Sequence, residues 1–255
     1  MAKTLLWAGL AAAAVASIST AQAAPADWSG LYIGVNGGGS SVGVDGQNDL
    51  TCTTACNYFF SSNAAVLQNE PEFSPSGAGS AFGVQAGWNG SLGNGLMWGI
   101  EADIDSSDFS ETESHSIDYV TAPGNGNTFT NQVETDWTAT VRLRAGMAAG
   151  DNALVYVTGG VAFADATLTT DIVEYVGCCA VAHSEQSDTL TGWTLGAGAE
   201  WAFDSNWSIK LEYLYEDFGS ISSDTDYTDF GETDVFHTTA DLTANVVRVG
   251  INYGF

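Results

Sequence analysis

Apolar and polar residues alternate with a period of two through most of this chain. The final stretch, 245–255 (NVVRVGINYGF), sets Val247, Val249, Ile251, Tyr253 and Phe255 on one face. Val246, Arg248, Gly250, Asn252 and Gly254 fall on the other. Successive strand residues point to opposite faces, so this segment reads as a strand with one greasy face and one small or polar face. Seven earlier segments repeat the pattern. They begin near Leu31, Phe82, Leu96, Trp137, Leu154, Trp193 and Trp207, each running for about ten residues. Tight turns are expected at 91–94, 150–152 and 204–206. Long polar connections are expected at 40–77, around 124–127, around Cys178 and at 220–241.

Eight strands joined alternately by long and short connections put both ends of the barrel domain on the short-turn side. The composition of the faces then separates two all-β architectures. A soluble sandwich or barrel would turn its bulky apolar residues inward. Here one face carries Gly, Asn, Thr and charge. The other collects Trp88, Trp98, Trp201, Phe203, Trp207, Tyr253 and Phe255 towards the short-turn end, as an interfacial aromatic girdle does. The expected fold is an eight-stranded antiparallel up-and-down transmembrane β-barrel with short periplasmic turns and long acidic extracellular loops. A hairpin within 57–67 would raise the strand number to ten.

The first residues support export. Met1-Ala2-Lys3, an apolar run from Leu5 to about Ile18 and Ala21-Gln22-Ala23 make a secretory signal peptide over 1–23, leaving a barrel domain at 24–255. The apolar run is shorter than the roughly 20 residues a helical span needs. Beyond Lys3 only Arg142, Arg144, Lys210 and Arg248 are basic, against 31 Asp and Glu. So negative a surface repels nucleic acid, which is excluded as a partner. Eight Trp, nine Tyr and twelve Phe with four Pro exclude the disorder that charge alone would suggest.

Segments 28–38 (WSGLYIGVNGG), 99–104 (GIEADI), 140–146 (TVRLRAG), 192–201 (GWTLGAGAEW), 206–215 (NWSIKLEYLY) and 247–255 (VRVGINYGF) resemble the small porin-like, OmpA-like outer-membrane proteins of alphaproteobacteria. That family includes surface antigens and haemin-binding proteins. The resemblance spans every strand and none of the outer loops. It implies residence in the outer membrane, and insertion by the barrel-assembly machinery, with Phe255 as the end of the strand that machinery reads.

Candidate chemistry is sparse. Cys52, Cys56, Cys178 and Cys179 are disulfide candidates in an exported chain, with three pairings open. His115, His183 and His237 are scattered through the expected outer loops with no nucleophile or metal spacing beside them, so no enzyme and no cofactor is expected. Asp224, Asp226 and Asp229 suggest the start of a calcium loop but lack its closing Glu, so a solvated acidic loop that attracts divalent cations loosely is expected.

The scarce bases point inward. Arg142, Arg144, Lys210 and Arg248 share the polar faces of their strands with Glu101, Asp103, Glu200 and Glu212, at one broad level of the barrel. The expectation is a charge belt that plugs the lumen. Eight strands leave an interior just filled by side chains. A structural or surface role in the envelope, held in outer-membrane lipid, is therefore favoured over a small porin or a loop receptor for cations or haemin.

Overall fold

The computed structural model describes residues 27–51, 72–120, 122–175, 181–229 and 232–255. The expected signal peptide, the four cysteines and the possible hairpin at 57–67 lie outside these residues. The elements are β1 (Gly30–Thr51), β2 (Glu72–Phe73), β3 (Ser76–Gly93), β4 (Leu96–Tyr119), β5 (Ala122–Ala148), β6 (Ala153–Tyr175), β7 (Val181–Ala202), β8 (Trp207–Asp229) and β9 (Glu232–Gly254). Every pairing is antiparallel. The order β1-β3-β4-β5-β6-β7-β8-β9 closes through β1 and β9, from Tyr32 opposite Gly254 to Thr51 opposite Val235.

β2 does not add a ninth stave. It lies on the same edge of β1 as β3, with Gly46 opposite Phe73 just above the last β1–β3 pair, Gly43 opposite Ser76. Between them stands Pro75, which has no N–H to give a ladder; its carbonyl still accepts from the Val44 amide at 3.0 Å. β2 and β3 are thus one stave interrupted at a proline, and the barrel has eight.

Through the membrane the alternation is that of the sequence. Leu96, Trp98, Ile100 and Ile104 of β4 are exposed, while Met97, Glu101, Asp103 and Asp105 are buried. Residues 96–106, at about 3.3 Å each and a tilt near 40°, cover about 25 Å along the membrane normal, the height of an apolar barrel band. A second aromatic level, which the sequence reading lacked, marks its upper edge. Phe82 and Trp137 both pair with Ser106, Phe163 stands near them, and the rings of Trp193 and Tyr215 lie 5.4 Å apart.

Above that level the structure corrects the sequence reading. Most of the polar stretches expected to be loops are strand. The eight staves run for up to 27 residues, more than twice the span of the bilayer, and the upper parts form an extracellular extension. Its pattern is reversed. Val42, Val44, Phe109, Val133, Leu168, Leu190, Ile221 and Leu242 are buried in one cluster inside the ring, with Ser, Thr and acids outside. Water on the outside demands an apolar interior, just as lipid on the outside permits a charged one. In β1, β6, β7 and β9 even positions face inward throughout and only their composition changes, as from Asn36 to Val42 and Val44; in β5 and β8 a bulge also shifts the parity. Inward residues of β5 are Thr138, Thr140 and Arg142 below the irregularity at 135–138, and Val133 and Thr135 above it. In β8 inward positions are even up to Phe218 and odd from Ile221. The shift falls at Gly219, whose φ of +75° suits glycine.

The extension is also no longer one closed ring. The β7–β8 ladder stops at Trp193 opposite Asp217, and the β3–β4 ladder at Ala81 opposite Ser107. Above these points two sheets, β4-β5-β6-β7 and β8-β9-β1-β2, face each other across the apolar cluster. Side chains close the seams. Asp108 accepts from the Ser80 amide at 2.6 Å and its hydroxyl at 2.7 Å, which holds the Asp108 carboxyl below the usual carboxylate range. Ser184 bonds Thr225 and Ser223 at 2.5 and 3.1 Å.

Leu168 separates strand from loop. Leu168→Ala should cost about 2–5 kcal/mol of unfolding stability, as core truncations do. Thr167→Ala, one residue away on the outer face, should leave the denaturation midpoint nearly unchanged. Equal midpoints would mean that 166–170 is loop.

Candidate functional site

Every base of the barrel lies in one buried network. Arg142 and Arg144 come from β5, Lys210 from β8 and Arg248 from β9, each at most 2% exposed. They meet Glu101 and Asp103 of β4, Glu200 of β7 and Glu212 of β8, so the structure brings together all eight residues singled out from the strand faces. Strand register does part of this, setting Glu101 opposite Arg142 and Glu212 opposite Arg248. The rest is reach across the lumen.

Glu101 is the hub. It accepts from Arg142 at 2.5 Å, from Lys210 at 2.9 and 3.1 Å, from Arg144 at 3.3 Å and from the Tyr32 hydroxyl at 2.7 Å. Asp103 takes Arg142 at 2.7 Å, Arg248 at 3.0 Å and the Thr140 hydroxyl at 2.8 Å. Glu212 faces Arg248 Nε at 2.9 Å, Arg142 at 3.2 Å and Lys210 at 3.4 Å, and accepts from Tyr156 at 2.9 Å. Glu200 receives Arg144 at 3.0 Å, with Ser208 and Asn252 at 2.6 and 2.7 Å. Lys210, directly opposite Glu200 in the ladder, turns instead to Glu101 and Glu212.

Four further members escaped the sequence reading. Asp105 accepts from Arg248 at 2.8 Å, and Glu216 is buried just above the belt. Tyr32 and Tyr156 flank Arg144, whose guanidinium carbon lies 3.9 Å from the Tyr156 ring centroid. A signal for all four existed: each sits at an inward position of its strand, where an aromatic or an acid has no lipid to face.

What this arrangement can do is seal. A buried ion pair stands only where geometry and added hydrogen bonds offset desolvation, and Glu101, Asp103, Glu200 and Glu212 each have at least two donors. Below it Trp28, Met97, Leu154 and Tyr156 pack together; above it stands the apolar cluster. Two voids on this axis measure about 50 Å³ at the lower mouth and about 30 Å³ above the belt.

The other candidates do not converge. Asp224 and Asp226 stand exposed on the outer side of β8 rather than in a loop, and Asp224 Oδ1 lies 2.6 Å from His237 Nδ1. Asp229 is the last residue of β8, and its side chain is outside the described part. His183 lies 2.7 Å from Asp171, and His115 is exposed on β4. Among the described residues no three His, Cys, Asp or Glu gather as a metal site. At the rim Tyr175 donates to Asp118, which pushes the phenol up to about 12.

A closed antiparallel ring with a lipid-facing apolar band, two aromatic levels and a polar, packed lumen is a transmembrane β-barrel of the outer-membrane type. Residues 10–255 match the model of the outer membrane protein beta-barrel domain, and the chain belongs to that family. It is 34% identical over 251 residues to the 31 kDa outer-membrane immunogenic protein of Brucella melitensis, covering 94% of this chain and 90% of that one. It is 28% identical to the 22 kDa outer membrane protein of Rhizobium leguminosarum bv. viciae, over 68% and 64% of the two chains. The outer membrane protein OprG of Pseudomonas aeruginosa aligns over 92% of this chain and 98% of its own, with a TM-score of 0.49 and 13% identity. The protein is an outer-membrane β-barrel protein, and the outer membrane is where it resides.

Removing one cation tests the belt. Arg144→Ala strands Glu200 and part of Glu101 and should cost about 3–5 kcal/mol. Asp226→Ala, on the exposed face, should fall within the small effects of surface changes. Heat-modifiable mobility on gels reads both; equal transition temperatures would contradict the role given to the belt.

Proposed function

We propose that the protein is a sealed structural and surface component of the cell envelope, not a conduit and not an enzyme. The observation that carries this reading is the lumen. The belt of Glu101, Asp103, Arg142, Arg144, Glu200, Lys210, Glu212 and Arg248 fills the lumen between a void of about 50 Å³ at the lower mouth and one of about 30 Å³ under the apolar layer. A hydrated ion crossing here would have to displace paired charges and then a dry cluster. Purified protein in planar bilayers should show no steady conductance. Stable nanosiemens steps would overturn the sealed reading.

The role then belongs to the outer wall of the extension. It presents exposed acids such as Asp45, Asp108, Glu185, Asp188, Asp224 and Asp241. Among the described residues it carries no Lys or Arg. Such a wall keeps anionic polymers at a distance and attracts divalent cations, which can bridge it to lipid headgroups. The expected partners are outer-membrane lipid around the apolar band and, during assembly, the barrel-assembly machinery. Phe255 suits the second. Its side chain is 73% exposed, its ring lies 5.2 Å from Tyr253, and its amide donates to the Leu31 carbonyl at 3.0 Å, across the strand pair that closes the barrel. Deleting Phe255 should reduce the fraction of chains that reach the heat-modifiable form in cells. Undiminished assembly of a chain ending at Gly254 would remove this part of the proposal.

A further inference from the structure

Between the belt and the apolar layer the lumen holds a chamber of about 30 Å³. Asp105, Glu216, Arg248 and the hydroxyl residues Ser40, Ser107, Thr135 and Thr138 line its lower part. Val42, Leu214, Phe218, Leu242, Ala244 and Val246 roof it. At roughly 10–15 Å³ for each water, it has room for about two.

The charges around it do not sum to zero. Glu101, Asp103, Asp105, Glu200, Glu212 and Glu216 are six buried acids, and Arg142, Arg144, Lys210 and Arg248 are four buried bases. Two negative charges are left over, and the surplus sits at the chamber. Asp105 is 5% exposed; one of its oxygens accepts from Arg248 and Oδ1 has no partner. Glu216 is 3% exposed and makes no hydrogen bond or ion pair among the described residues. Asp105 shares Arg248 with Asp103 and Glu212, and Glu216 has no ion pair of its own; buried carboxylates so short of counter-charge are disfavoured, so the site calls for more positive charge.

We propose that one hard divalent cation, Ca²⁺ by its chemistry, binds in this chamber between Asp105 and Glu216. The donors are all oxygen, with neither His nor Cys nearby, which suits calcium and not a soft or transition metal. Two carboxylates, the Ser and Thr hydroxyls and one or two waters supply the six to eight oxygens that calcium takes. Magnesium would need a rigid octahedron and its retained waters, for which the chamber is too small. A charge of +2 closes the sum. The apolar roof and the belt bound the chamber above and below.

The test is refolding of the full chain from urea into detergent micelles, with CaCl₂ or with EDTA. Gel filtration in high salt then strips ions from exposed acids. Retained calcium is counted by atomic emission, and the melting temperature is read in each preparation. The wild type should retain one calcium per folded chain and melt higher than when refolded in EDTA. Glu216→Gln should retain none, melt alike in both preparations, and melt above the wild type refolded in EDTA because a buried charge is gone. Asp226→Asn, on the outer wall, should keep the wild-type stoichiometry. A wild type that retains no calcium, with a stability that follows pH alone, would overturn the proposal by showing that protons neutralise these acids. So would a Glu216→Gln protein that retains as much calcium as the wild type. The comparison of the two wild-type preparations decides the matter even if the variant does not refold.

Discussion

The structure depends on the pairing of four buried cations with carboxylates in the lumen. A barrel of eight staves has too little interior to stay hydrated and too much to be left empty. Its lipid-facing surface takes up the large apolar residues, so the inward face has to be filled with what remains. Filling it with charge works only if every charge finds partners, because one unmatched ion in such a place costs more than a hydrogen bond repays. Glu101, reached by Arg142, Arg144, Lys210 and Tyr32, shows how this is done: one acid from β4 ties together β1, β5 and β8. The belt therefore ties β1, β4, β5, β7, β8 and β9 together from inside the ring.

A second constraint is the change of solvent along each stave. The lower part stands in lipid and the upper part in water, and the inside inverts accordingly. In β1, β6, β7 and β9 the alternation runs on unbroken and composition alone inverts the inside, as from Arg248 to Val246, Ala244 and Leu242, whereas β5 and β8 also change parity. The irregularities at 135–138 and at Asp217–Gly219 shift the parity, so that Val133 and Ile221 enter the apolar cluster while Arg142 and Glu212 stay in the belt. Once in water, the ring no longer needs every backbone group paired within the sheet. It can divide into two sheets whose edges are met by side chains such as Asp108 and Ser184.

The membrane half was legible in the sequence because lipid imposes contrast. Large apolar residues alternate there with Gly, Asn and charge, and the short turns and terminal aromatics are unambiguous. The upper half was not. Its outward residues are Ser, Thr, Asp and Glu, its inward ones include Ala162, Ala164 and Ala166, and this low contrast reads as loop. The bulges hide it further, since each breaks the running period; of their residues only Gly219 leaves a trace. For the belt, strand parity was enough to nominate eight residues. It could not show which acid would be the hub, that Tyr32 and Tyr156 would flank Arg144, or that Asp105 and Glu216 would be left over beside a chamber.

Placing every base in the wall's interior has an outcome at the cell surface. Beyond Lys3 the chain offers arginine- and lysine-directed proteases only Arg142, Arg144, Lys210 and Arg248, and all four are shielded by the folded barrel. Trypsin-like enzymes meeting intact cells find no bond to cut on the described surface. Once the chain is unfolded, the same scarcity leaves long fragments with few ends. The charge arrangement that fills the lumen thus also hides the described barrel from a whole class of digestive chemistry.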